Sequence, residues 1–221
     1  MIAEDLINSM IPPLKPSDSI QKALDWMANL RLNQLPVADK GLFVGILTEE
    51  QVLDEDDKSL LVSDLDIYLN DVTVKPSQHF YDIMKMAAIS DCDLVGVIND
   101  ENEYLGVVDV RDTISLFGQM SSMQGPGGIL VLRMKEYNYS LQEISRLIEE
   151  NNAKILSLNI STDDNIADKI RITLKLNISE MSHVIATLER FDYEVIASFQ
   201  EKELKNNTKD NLGLLLKYLD I

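Results

Sequence analysis

The 221-residue sequence has a single cysteine, Cys92, so an intrachain disulfide is excluded. A lone thiol fits a reducing compartment. In the apolar stretch ISDCDLVGVI it reads as a buried strand residue, not a nucleophile. Histidine is almost as scarce. His79 and His183 stand far apart and, with one cysteine, cannot complete a zinc set of the usual spacing, so no metal site is expected. No apolar run approaches the roughly 18 residues of a membrane span, and MIAEDLINSM has no basic segment, so a cytoplasmic protein is expected. Glycine-rich phosphate loops, nucleophile elbows and HExxH are missing, and no catalytic residue is assigned.

Positive charge is also in short supply, with 20 Lys+Arg against 37 Asp+Glu and a net charge of −17. Residues 1–120 hold 8 Lys+Arg and 22 Asp+Glu, a net of −14, whereas residues 121–221 hold 12 and 15. Neither half has the basic face with which proteins neutralise nucleic-acid phosphates, and anionic membranes are disfavoured for the same reason. A phosphate-bearing ligand of the first half needs local help from a lysine, an arginine, a helix N-terminus or a bound cation.

What is present is a repeat. KPSDS at 15–19 recurs as KPSQH at 75–79, sixty residues on. Each copy leads into a helical pattern, with Ile20, Ala23, Leu24, Met27 and Leu30 on one face and then Phe80, Ile83, Met84 and Ala87. Ser17 or Asp18 in the first copy, and Ser77 in the second, are the expected N-caps. A short apolar strand and a polar turn follow (LPVADKG at 35–41, VGVINDENE at 95–103). A second strand then runs into a polar ending, LFVGILTEEQVL at 42–53 and YLGVVDVRDTI at 104–114. Gly45 and Gly106 lie 61 apart, so the second turn gained one residue. Two such copies, about 1–60 and 61–120, are expected to pack together, because neither buries its apolar face alone.

The order of these parts resembles a tandem pair of CBS domains, a Bateman module, over residues 1–120. The resemblance implies an α+β fold of two β-α-β-β-α repeats and a regulatory, non-catalytic role. In that family the second strand closes with Gly-x-x-Thr/Ser-x-x-Asp, whose hydroxyl and carboxylate hold the ribose of an adenosine ligand. Here Thr48 is followed by Gln51 where the family has aspartate, and Asp112 is preceded by Asp109 where it has a hydroxyl. The resemblance thus points to Asp112, Asp109, Thr48 and Gln51 as ligand-binding positions, with Lys15, Ser17, Lys75 and Ser77 of the lead-ins beside them. The same letters also read as helix caps: Thr48-Glu-Glu-Gln51 has capping-box spacing, and Asp109 with Asp112 suits a helix N-terminus. No cofactor is required. An adenosine nucleotide (AMP or ATP) or S-adenosylmethionine is the implied ligand, and the net of −14 favours the less anionic compounds.

Residues 121–127 fall in GQMSSMQGPGG and read as a linker. ILVLRM reads as a buried strand, SLQEISRLIEENN as a helix capped by Ser140 with Glu143 at capping-box spacing, and two further strands, a helix and a strand complete a βαββαβ, ferredoxin-like order. Residues 128–200 resemble an ACT domain. Amino-acid-binding members carry an acid and a glycine in the first loop; here the loop holds Glu136, Asn138, Tyr139 and Ser140, and Tyr139 stands in the glycine's place. The alternative role is pairing of subunits into a homodimer through sheet edges. A CBS pair followed by an ACT-like domain is similar to the acetoin-utilisation regulatory proteins of bacteria. Residues 201–221 carry Leu212, Leu215, Leu216 and Leu219 at helical spacing, an expected C-terminal amphipathic helix. The alternative to a sensor is a structural adaptor with a degenerate nucleotide site, and neither reading names the regulated protein partner.

Overall fold

The structure, a computed structural model, describes residues 1–67, 69–119, 124–163 and 166–200. The chain divides into two compact units, Met1–Gln119 and Met120–Ile221. The expected helix at 201–221 and the first residues of the 121–127 linker lie outside the described residues. Among the described residues no helix is long and apolar enough to cross a membrane.

In the first unit, helix α1 (Ile20–Leu30) is followed by strands β1 (Gln34–Asp39) and β2 (Leu42–Thr48) and helix α2 (Glu49–Leu53). Strand β3 (Thr73–Val74), helix α3 (Phe80–Ser90), strands β4 (Leu94–Ile98) and β5 (Tyr104–Asp109) and helix α4 (Val110–Gly118) follow. β1 and β2 form an antiparallel hairpin; β3 joins β4 in parallel and β5 joins β4 antiparallel. The two copies do not open alike. Val74 lies in β3, but its counterpart Leu14 makes only an isolated parallel bridge to Val37.

Apolar spacing explains the helices. Ile20, Ala23 and Met27 of α1 and Phe80, Ile83 and Ala87 of α3 are buried in one core with β1, β2, β4 and β5. Both helices end on a left-handed residue sixty positions apart, Arg31 and Asp91, whose N–H groups return to the last turn. The caps differ from expectation. Ser19, not Ser17 or Asp18, accepts from Lys22 N, and His79, not Ser77, accepts from Tyr81 N through Nδ1. The reason is local: the Asp18 carboxylate already accepts the Lys15 N–H at 2.8 Å, and Gln78 Oε1 accepts the Lys75 N–H at 2.6 Å. Those side chains close the preceding turns, so capping passes one residue on. Cys92 is buried as expected but sits in the turn before β4, not in the strand.

The lead-in of each copy crosses to the other. Residues 2–6 and 61–65 fold into matching turns, with Ile2 N donating to Asp5 and Leu61 N to Asp64. The first docks on the second copy (Ala3 N to Gln78 O, Asn8 N to Val107 O), the second on the first (Val62 N to Asp18 O, Ile46 N to Leu69 O). Glycine is required under both. A Cβ at Gly106 would lie 2.4 Å from Ile7 Cγ2, and one at Gly45 would lie 2.6 Å from Ile67 Cγ2. Between the copies, Leu42 bridges Glu103 and Phe43 stacks on Tyr104 with centroids 5.9 Å apart. In both pairs a residue meets its own counterpart 61 positions on, the signature of a twofold-like axis through that point.

The second unit runs β6 (Gly128–Lys135), α5 (Leu141–Glu150), β7 (Ile155–Thr162), β8 (Lys169–Leu176), α6 (Ser182–Arg190) and β9 (Glu194–Gln200). Its sheet is antiparallel in the order β7-β8-β6-β9, which leaves β7 and β9 as edges. Alternate residues of β6 (Leu130, Leu132, Met134) and β8 (Ile170 to Leu176) are buried with Ile144, Leu147, Val184 and Leu188 of the helices. Against the opposite side of β6 and β8, the fully buried Asp163 carboxylate takes Arg133 Nε at 2.6 Å and Arg171 Nη2 at 2.8 Å.

Candidate functional site

The four motif residues end β2 and β5, where each strand turns into a helix, and the structure separates their fates. Thr48 caps α2 in a closed box. Gln51 N donates to Thr48 Oγ1 at 3.3 Å, and Thr48 N donates to Gln51 Oε1 at 3.1 Å. The remaining end of the Gln51 amide donates to Asp66 O at 2.7 Å. Both side chains are therefore engaged in holding the helix start and the incoming lead.

Asp109 caps α4 and is buried, with 5% exposure. Its carboxylate accepts Arg111 N at 2.8 Å, Arg111 Nε at 3.1 Å and Arg111 Nη2 at 2.7 Å. This fork of hydrogen bonds raises the Arg111 pKa above its ordinary value, against the opposing effect of burial. Asp109 and Arg111 thus neutralise each other, and Arg111 is not a free phosphate ligand.

Asp112 differs from the other three. It stands exposed in the first turn of α4, and its carboxylate accepts one hydrogen bond, from Asn8 Nδ2 at 2.9 Å. A carboxylate has room for about four donors, so most of its capacity faces outward. Asn8 belongs to the crossed lead, 104 residues away in sequence. The copies also meet near the motif strands, where Gln34 Oε1 accepts Asp93 N at 3.0 Å and Leu94 N at 3.3 Å.

The lead-in residues lie elsewhere. Lys15 and Lys40, with Pro13, Ala38, Gly41 and Tyr104, line a cavity of about 450 Å³ at the tip of the β1–β2 hairpin, with Asp39 beside them. Thr48 is at the far end of β2 from that tip, so the structure does not bring Lys15 to the motif carboxylates. Asp18, next to Lys15, has its pKa lowered: partial burial opposes, but the Lys15 N–H and the Lys22 ammonium outweigh it. Lys75 donates to Asn99 O and pairs with Asp100 at 3.5 Å. Ser17 and Ser77 are exposed.

In the second unit, Glu136 and Asn138 form a short turn, and Tyr139 packs against the core. Ser140 caps α5, accepting from Glu143 N at 3.3 Å. The expected capping box does not close, because the Glu143 carboxylate instead accepts the Tyr193 hydroxyl at 2.9 Å. Glu136 and Lys135, Tyr137 and Asp168 line an open hollow of about 550 Å³. Asn8, Gln34 and Tyr104 escaped the sequence reading. The recurrence of IAEDL at 2–6 as LVSDL at 61–65 is the signal that places the leads inside the repeat.

Residues 3–58 match the CBS domain family. Among solved structures, a CBS domain pair/ACT domain protein from Thermotoga maritima is similar at a TM-score of 0.50 and 20% identity, over 55% of this chain and 100% of that one. The CBS pair of protein MJ0100, in complex with methylthioadenosine and S-adenosyl-L-methionine, has a TM-score of 0.44 and 22% identity, over 53% of this chain and 96% of that one. CBSX2 in complex with AMP has a TM-score of 0.48 and 19% identity, over 54% of this chain and 97% of that one. The crossed, duplicated first unit thus has the fold of a CBS domain pair, and its residues 3–58 match the CBS domain family.

Proposed function

We propose that the protein is a non-catalytic regulator whose CBS pair binds one adenosine-containing ligand at the Asp112 position. The observation that carries this reading is the contrast among the motif residues. Thr48, Gln51 and Asp109 are consumed by caps and by Arg111, whereas Asp112 is exposed with a single donor. A carboxylate in that state accepts two vicinal ribose hydroxyls together. It stands in the first turn of a nine-residue helix beside Asn8, so a ligand there touches both copies. The net of −14 favours S-adenosylmethionine or AMP over ATP.

The second unit is, in this proposal, an ACT-like domain that pairs subunits into a homodimer through the open edges of β7 or β9. Tyr139, partly buried, packs against the core where an amino-acid site needs bare backbone, which supports pairing over amino-acid binding. Ligand occupancy regulates only if the ligand binds two arrangements of the copies unequally. The seating of Asp109 and Gln51 in purely structural roles favours a second reading, an adaptor that binds nothing.

A thermal-shift panel of AMP, ATP, S-adenosylmethionine and amino acids separates the two. A ligand at about 100 times its Kd stabilises the fold by about 2.7 kcal/mol. The proposal expects that gain with an adenosyl compound and its loss in Asp112→Ala. No gain from any compound supports the adaptor.

A further inference from the structure

The duplication gives the first unit two equivalent hairpin tips, and their charges differ. At the first, Lys15 and Lys40 line the 450 Å³ cavity, and neither ammonium has a hydrogen-bond or ion-pair partner among the described residues. At the second, Lys75 is the counterpart of Lys15, and the acidic Asp100 and Glu101 stand where the first turn has Lys40. There the lysine bonds Asn99 O and pairs at 3.5 Å with the exposed Asp100. The first tip thus carries two ammonium groups without a hydrogen bond or ion pair among the described residues, although the Asp18 carboxylate acts on Lys15 electrostatically.

The aromatic pair differs in the same sense. Tyr104 lines the first cavity, and its stacked counterpart is Phe43, which has no hydroxyl. The Tyr104 hydroxyl is buried without a hydrogen-bond partner, a state that costs about 1–3 kcal/mol. Burial also pushes its ionisation well above the ordinary tyrosine range, so it is available as a donor. Lys40 is held in a tight turn with Gly41, both at positive φ (49° and 86°), which fixes the ammonium's anchor at the cavity rim. Asp39 lines the cavity beside them, and the Asp18 carboxylate acts on Lys15 electrostatically.

We propose that this first hairpin tip is a binding site for a phosphate monoester, separate from the Asp112 position. A dianion matches two ammonium groups, and Asp39 accepts from a hydroxyl on the alcohol part of the ester. A unit carrying a net of −14 repels anions at long range, so capture depends on these two cations at contact distance. The second tip, whose loop is one residue longer and carries Asp100 and Glu101, is expected not to bind.

The test uses the full chain with glycerol 3-phosphate as probe, followed by phosphorus NMR line broadening and calorimetry. The expected result is saturable binding of one molecule per chain. Lys15→Ala and Lys40→Ala should each weaken it by about tenfold or more, the value of one charge-assisted hydrogen bond. Asp112→Ala and Lys75→Ala should leave it unchanged, so this result stands or falls apart from the adenosyl-ligand reading. Absence of saturable binding overturns the proposal. So does binding that survives Lys15→Ala/Lys40→Ala, or a broadening that sodium sulfate at equal ionic strength reproduces without competing.

Discussion

Gly106→Ala puts a methyl group where the Ile7 side chain already lies. The new Cβ would be 2.4 Å from Ile7 Cγ2, whereas carbon atoms settle at about 3.5–4.0 Å. A displacement of more than about 1 Å is therefore needed, and a β-branched side chain has little rotamer freedom with which to supply it. The crossed lead must lift off β5 or the strand must bend, at a cost of about 1–3 kcal/mol, the usual range for overpacking a tight contact. For a unit of this size that corresponds to a fall in Tm of roughly 5–15 °C. Trp26 makes the assay specific. It is the only tryptophan, half-buried against the first unit's core with the Lys22 ammonium 4.4 Å from its ring centroid. Its fluorescence in urea follows the first unit and is blind to the second. Ile7→Ala should remove the clash but not the strain of a side chain at the positive φ of Gly106 (156°), so Gly106→Ala should cost less in that background, a coupling of about 1–3 kcal/mol. Strict additivity, or a Gly106→Ala variant as stable as the parent, would refute the crossed packing.

Three further outcomes follow from single contacts. Thr48→Ala breaks the capping box of α2 and should destabilise the first unit by about 1 kcal/mol, read as a lower urea midpoint of Trp26 fluorescence at unchanged slope. Asp163→Ala leaves the Arg133 and Arg171 guanidiniums without the carboxylate between them, and should cost the second unit on the order of 3–5 kcal/mol. Circular dichroism should lose one transition while the Trp26 curve stays in place; movement of both would contradict two separate units. The Tyr193 hydroxyl is pushed up to about 12, first by burial and then by its bond to the Glu143 carboxylate. Because the folded pKa lies above the unfolded one of about 10, this contribution is complete below pH 10 and is lost as pH rises towards 12. Phenolate absorbance should show a late-titrating tyrosine that vanishes in Tyr193→Phe.

The repeat was legible because its signals are local. The lead-ins KPSDS and KPSQH, the apolar faces of α1 and α3 and the paired glycines all lie within short windows, and hydrophobic spacing converts them directly into buried faces. The order of strands and helices after residue 128 was visible for the same reason. What escaped depends on partners distant in sequence or on competition between neighbours. Asn8 meets Asp112 across 104 residues, and no periodicity encodes that contact. Glu143 has the spacing of a capping box, but Tyr193, fifty residues on, offers a better donor. Ser17 and Ser77 look like caps until Asp18 and Gln78 are seen to bind the Lys15 and Lys75 N–H groups and move the helix start. At the motif, Asp109 and Asp112 are the same letter three apart, yet one is locked by Arg111 and the other is open. The buried cap position of Asp109 and the direction taken by the Arg111 side chain distinguish them.

Calorimetric titration of the full chain with S-adenosylmethionine, which carries no phosphate, tests the central claim most directly. The account predicts saturable binding with one site per chain, since only the Asp112 copy keeps free acceptor capacity, and its loss in Asp112→Ala but not in Thr48→Ala. Two sites per chain, or binding indifferent to Asp112, would contradict it.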